Sequence, residues 1–145
     1  MENVLIRRLK IEDVEKIARI QERITKTAAG EDFLEIVREY ARKPDNACFV
    51  AEHEGRIVGF MISSILSGIF GVERSAWISI LGVDPKFMGR DIGKALAAEI
   101  LRFYEGKGVK DIYTSVRWDS TDLLSFFKTL GFDRSNFINL RRSIG

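Results

Sequence analysis

The sequence predicts an α/β domain with a mixed central β-sheet and flanking helices. Three observations point there. Apolar residues recur at helical spacing in some stretches and as short β-rich runs in others, and the two kinds alternate along the chain. The 145 residues are 46% hydrophobic and 30% charged, which suits one soluble domain with a sizeable core. No repeat, low-complexity stretch or linker interrupts them, so the expected organisation is a single domain over residues 1–145.

Residues 3–9 read as the first strand, an alternation that is unlike a signal peptide. Val14, Ile17, Ala18 and Ile24 then give a helical stripe, with Asp13 and Glu15 favourable in its first turn. "TKTAAG" (25–30) is a small-residue loop, and Phe33, Val37, Tyr40 and Ala41 form a second stripe stopped near Pro44. In "ACFVAEHEGRIVGFMISSIL" (47–66) two β-rich runs flank a turn at Gly55, the mark of a hairpin. Residues 67–72 read as a glycine-bearing connector and residues 73–83 as another strand, closed by Pro85. Ile92, Ala95, Leu96, Ile100 and Phe103 mark a helix that Gly106 and Gly108 end. "DIYTSVRW" (111–118) reads as a strand. Asp119 or Ser120 caps the next helix, whose stripe is Leu123, Phe126, Phe127 and Leu130 and whose stop is Gly131. Residues 136–144 read as a last strand, so the expected order is β-α-α-β-β-β-α-β-α-β.

Charge and special residues exclude more than they assign. The formal charge is +2, and the short clusters Arg7-Arg8 and Arg141-Arg142 read as solvated surface rather than a nucleic-acid stripe. No run is long enough to cross a membrane. Together with the N-terminus, this gives a cytoplasmic protein as the expectation. The single cysteine, Cys48, lies in an apolar run and reads as a buried small hydrophobe, so no disulfide or zinc site is expected. One His and one Cys make a Ser/His/Asp or Cys/His apparatus implausible, and His53 falls in a hairpin turn.

The stretch "GVDPKFMGRDIGKALAAEIL" (82–101) carries the chemistry. It runs from a strand through two glycines, Gly89 and Gly93, into a long helix, with Lys86, Arg90 and Lys94 nearby. A helix start offers unpaired N–H groups and a partial positive charge, so such a junction can cradle a phosphate. By itself the pattern is weak, being neither a P-loop nor GxGxxG, and plain folding also produces it.

With the order of elements added, nearly the whole chain resembles the GNAT (Gcn5-related N-acetyltransferase) acyltransferases. "WISILGVDPKF" followed by "MGRDIGKALAAEIL" is similar to their cofactor segment, and "SFFKTLGF" (125–132) to their closing helix and its LGF-type ending. The resemblance implies a GNAT-like mixed sheet and acetyl-CoA as cosubstrate. It also implies that the pantetheine arm runs along the backbone of Leu81 and Val83, and that the pyrophosphate lies in a loop of Met88, Gly89, Arg90, Asp91, Ile92, Gly93 and Lys94. The sequence departs from the family loop at Met88, where Gln or Arg is usual, and at Asp91, where a middle glycine is usual. Asp91 reads either as a backbone and turn residue whose side chain faces away, or as a carboxylate competing with the phosphate. Asp enters the left-handed region more readily than most residues, which favours the first.

The resemblance also implies acetyl transfer to a primary amine by direct attack. The family's frequent tyrosine acid falls at Phe127, and its frequent asparagine at Ser120, carried here with the cofactor site. Tyr113 and Ser115 share a strand face and can reach the thioester. Glu73 is the candidate base, although a solvated strand end also accounts for it. The acceptor is expected on the first two helices, where Glu22, Glu31, Asp32 and Glu35 suit a cationic amine and a solvated helix face explains them equally. A homodimer is a further expectation. The competing readings are a CoA or acyl-CoA sensor of the same fold with weak catalysis, and a pure interaction module.

Overall fold

The computed structural model describes residues 3–145, so the first two positions of the expected domain lie outside the described residues. The chain packs as two compact units, one ending at Ser115 and the other being Val116–Gly145.

The first unit holds the sheet. Strand β1 (Val4–Arg8) is followed by helices α1 (Val14–Thr25) and α2 (Glu31–Arg42). Next come strands β2 (Cys48–His53), β3 (Arg56–Ile69) and β4 (Val72–Val83), helix α3 (Ile92–Gly106) and strand β5 (Ile112–Thr114). The strands lie in chain order, antiparallel except for β4 and β5. A parallel pair needs a crossover connection, and α3 supplies it.

The two faces are filled by different helices. Val14, Ile17 and Ile20 of α1 and Val37 of α2 are buried with Cys48, Val50, Phe60 and Ile62. On the opposite face α3 comes so close that a Cβ at Gly59 would meet Ile92 Cγ2 at 3.0 Å. The Tyr104 hydroxyl of α3 accepts from the Ala47 N–H at 3.0 Å and shares a 2.7 Å bond with Ser63 Oγ, which satisfies all three buried groups. Burial pushes this phenol above its ordinary pKa.

The sequence expectations fail in four places. The connector over 67–72 is a tight hairpin: β3 and β4 pair to Ile69 and Val72, leaving Phe70 (φ 54°) and Gly71 (φ 73°) as the turn. Two positive φ angles are what a two-residue hairpin turn needs, and Phe70 conceals the signal because Asn or Gly is usual there. The strand over 111–118 shrinks to Ile112–Thr114. Ile24, counted in the buried stripe, is 40% exposed, although its Cδ1 reaches the space over Gly82. The last strand, over 136–144, does not form. In the second unit α4 (Thr121–Thr129) is the regular element, and residues 136–144 belong to no strand among the described residues. Alternation supplies a face, but a strand also needs a backbone partner, and Ile138, Leu140 and Ile144 are 82–94% exposed.

Candidate functional site

The site is built at the C-terminal half of β4. Pairing with β3 is regular from Val72 to Ile78, and then one residue, Ser79, is skipped before Ile80 pairs with Ile62. On the other side β5 pairs only with Ala76–Ile78. At that point the Thr114 hydroxyl, rather than backbone, donates to the Ile78 carbonyl at 2.9 Å. Beyond this fork, residues 79–83 of β4 have no strand neighbour on the β5 side among the described residues.

The bulge decides which backbone groups line the open edge. Before it, Ala76 donates outward to Asp111 and Ile78 accepts from Thr114, so the even-numbered groups face β5. After it, Asp84 donates inward to the Val58 carbonyl at 2.8 Å, so Gly82 also faces β3. By the two-residue period, Leu81 and Val83 present their N–H and C=O to the open side. The inserted Ser79 makes this switch.

Past the edge, the chain enters the loop through Asp84. Its buried carboxylate accepts from the Lys86 N–H at 3.0 Å and from Arg23 of α1 at 2.5 Å, and Pro85 opens the short 3₁₀ turn that follows. Sequence reasoning missed Asp84 and Arg23. The Asp-Pro pair was the available signal, an N-capping acid followed by proline. Ser79 and Thr114 were also missed, and no local pattern announces either.

The loop then turns through Gly89 (φ 77°) and Asp91 (φ 59°) into α3. The Ala95 N–H is the first to find an intrahelical acceptor, the Asp91 carbonyl at 3.0 Å. The N–H groups of Ile92, Gly93 and Lys94 precede it and have no acceptor within the helix. The Asp91 carboxylate makes no capping bond and, among the described residues, no ion pair. The neighbouring Arg90 lies 5.1 Å over the Phe87 ring. Met88 is 66% exposed, and Lys86 and Lys94 are exposed. A Cβ at Gly89 would meet nothing within 4 Å, so the outer side of the loop is open.

The structure brings Leu81, Val83 and the segment from Met88 to Lys94 together at one end of β4. Tyr113 sits at the fork, its ring stacked on Trp77 at 4.7 Å, and Ser115 is the last residue of the first unit. Glu73 lies toward the hairpin tip, five residues before Ile78, or about 17 Å of extended strand. Ser120 caps α4 in the second unit without a side-chain cap bond. Phe127, in the same helix, is buried edge-on between Phe126 and Phe132, each ring centroid 5.1 Å away. Glu22 is committed to the loop between the first helices, accepting from the Ala29 N–H at 2.9 Å, while Glu31 and Asp32 are exposed in the first turn of α2. Burial pushes the Cys48 thiol above its ordinary pKa, which leaves little thiolate for a covalent relay. No group of three or more residues that could hold a metal ion occurs among the described residues, and no helix there is long and apolar enough to cross a membrane.

The fold is shared with solved acetyltransferases. The aminoglycoside N-acetyltransferase AAC(6')-Iy, solved with a bisubstrate analogue, superposes with a TM-score of 0.80 over 98% of this chain and 99% of that one, at 20% identity. The sequence profile of the Acetyltransferase (GNAT) family matches residues 13–132, and the chain belongs to this family. Among curated relatives, the N-alpha-acetyltransferase RimI of Mycobacterium tuberculosis is 36% identical over 105 residues, 72% of this chain and 61% of that protein. The mycothiol acetyltransferase of Amycolatopsis mediterranei is 32% identical over 93 residues, 62% of this chain. The match spans 31% of that relative, so the chain corresponds to less than two thirds of either protein.

Proposed function

We propose that the chain transfers the acetyl group of acetyl-CoA to a primary amine by direct attack within a ternary complex. One observation carries the reading. Leu81 and Val83 present backbone groups with no strand partner among the described residues, along an edge that leads to three N–H groups without an intrahelical acceptor at the start of α3. An arm bearing amides fits the first feature and a pyrophosphate the second.

When bound, acetyl-CoA supplies an acetyl group activated as a thioester. The chain's own residues do the rest. The helix start and the exposed Lys86, Arg90 and Lys94 hold the phosphates. Leu81 and Val83 fix the arm, and an outward N–H of either is the proposed oxyanion donor. The attacking amine must be neutral, and an alkylamine near pKa 10.4 must lose a proton first. Glu73 is proposed to draw in the ammonium form and take its proton through water, given its distance from the fork. Tyr113 and Ser115 are proposed to contact the acyl end. A thiol leaving group of ordinary acidity, with a pKa near 8.5, needs no strong acid, so Phe127 in the usual tyrosine slot is tolerable.

The same Phe127 favours a second reading, a CoA-binding domain with weak catalysis, because its buried ring offers no proton. Calorimetry with acetyl-CoA, and with pantetheine alone, tests the first step. The expected dissociation constant is on the order of micromolar to a few hundred micromolar, with pantetheine much weaker. No binding at millimolar acetyl-CoA would remove both readings and leave the interaction module. Binding without turnover across an amine panel would select the second. A homodimer belongs to the proposal and is read by sedimentation.

A further inference from the structure

Of the row of aromatic side chains beside the fork, only Tyr113 has a part in the reading above. Phe70, Trp77 and Tyr113 stand ring to ring on one face of the sheet. The Phe70 and Trp77 centroids are 6.0 Å apart, and those of Trp77 and Tyr113 are 4.7 Å apart in a stack. The β3–β4 register is unbroken from Val72 to Ile78, so Glu73 and Trp77 lie on the same face. Glu73 is exposed and forms no ion pair among the described residues. The neighbouring Arg74 is on the other face, donating to the Lys107 carbonyl.

Phe70 stands at a turn position that favours other residues. It holds a left-handed backbone (φ 54°) that aromatic residues seldom adopt, at a turn position where Asn or Gly is preferred. Its ring is 69% exposed, so little burial offsets that cost. An exposed ring kept in a strained turn, next to a second and a third ring and an unpaired carboxylate, has the composition of a surface for an alkylammonium group. Aromatic faces attract cations, and the carboxylate adds charge complementarity.

We propose that Phe70, Trp77 and Tyr113, with Glu73, receive the acceptor and select amines that carry a second cationic group a short alkyl chain away from the reacting nitrogen. The inference rests on the acetyl-CoA reading. An arm laid along residues 79–83 from the start of α3 ends at the fork, and the Trp77–Tyr113 pair is the next rung of the sheet. The reacting nitrogen then lies at the fork and the second cation over the rings.

Cadaverine and n-pentylamine are the probes, because they share chain length and one amino end and differ in the second ammonium. CoA is titrated first in every sample, and each amine is then titrated by calorimetry into the CoA-saturated protein at pH 7. Cadaverine is expected to bind the wild-type protein roughly tenfold more tightly, as one cation–π contact with an assisting carboxylate would give. Phe70→Asn creates the preferred Asn-Gly turn. It is expected to raise the melting temperature while cutting the cadaverine advantage by roughly threefold or more. Glu73→Gln is expected to cut it as well and to weaken its dependence on salt. Equal binding of the two amines to the wild-type protein, or an undiminished advantage in both variants, overturns the proposal and leaves the CoA reading intact. Failure of CoA itself to bind removes that reading, and this one with it.

Discussion

Asp91 shows how one side chain can look wrong for a site while its backbone is right. An aspartate among groups that would face phosphate suggests repulsion of a few kcal/mol for two like charges in contact near a protein surface. Its left-handed backbone, and its carbonyl accepting from Ala95, give the residue a turn role that needs no ligand contact. Asp91→Gly, which keeps that backbone accessible, is therefore expected to change the CoA dissociation constant by less than about threefold. Asp91→Val, whose branched Cβ opposes positive φ, is expected to weaken it by roughly tenfold or more. A gain of a hundredfold on Asp91→Gly, measured by calorimetry, would mean that the carboxylate does face the phosphate. Asp84 acts differently, through its side chain. Asp84→Ala strands the Lys86 N–H and releases Arg23, at an expected cost of about 1–3 kcal/mol. Urea melts read that loss, and CoA binding is expected to weaken with it because the loop loses its anchor.

At the scale of elements, β4 does most to make the site. Its register change at Ser79 turns Leu81 and Val83 outward, and the Thr114 hydroxyl ends the β5 pairing one rung earlier. Gly82 lies within the same stretch, where close approach from both sides forbids a side chain. A Cβ there would stand 2.9 Å from the Phe60 ring and 2.8 Å from Ile24 Cδ1. Gly82→Ala is thus expected to destabilise the fold by about 1–3 kcal/mol through overpacking, and to disturb the edge that the acetyl-CoA arm would use. Denaturant melts with and without CoA separate the two effects: a site effect appears as a smaller CoA-induced rise in stability. The hairpin β3–β4 was only half legible. Its strands were visible as apolar runs, but a phenylalanine in the turn hid the connection between them.

For the molecule as a whole, an ion-pair network also holds the far edge of the sheet, away from the site. Arg7 of β1 grips Asp13 with two bonds, at 2.8 and 3.0 Å, and reaches Glu52 at 3.0 Å. Burial pushes the Asp13 carboxyl up, but Arg7 and the Lys10 N–H outweigh it and hold the carboxyl below its ordinary value. A carboxyl whose folded pKa is lowered contributes stability above its unfolded pKa, near 3.9, and loses it as pH falls through the folded value. Stability is therefore expected to hold from neutral pH down to about 4 and to decline below. Asp13→Asn is expected to be less stable at pH 7 and to show a shallower decline in acid, as urea melts across pH 2–7 would report.

The sequence by itself determined the order of the elements through β5 and α4, and which stretch meets the start of α3. Periodicity, glycines and helix-start chemistry are local and are written at fixed spacings. Only the tertiary structure decided the fork. A bulge at Ser79 and a side-chain hydroxyl at Thr114 have meaning only once β3 and β5 stand on either side of β4. The same reason explains the missing last strand: residues 136–144 carry the alternation, but pairing depends on a partner that no local pattern can supply.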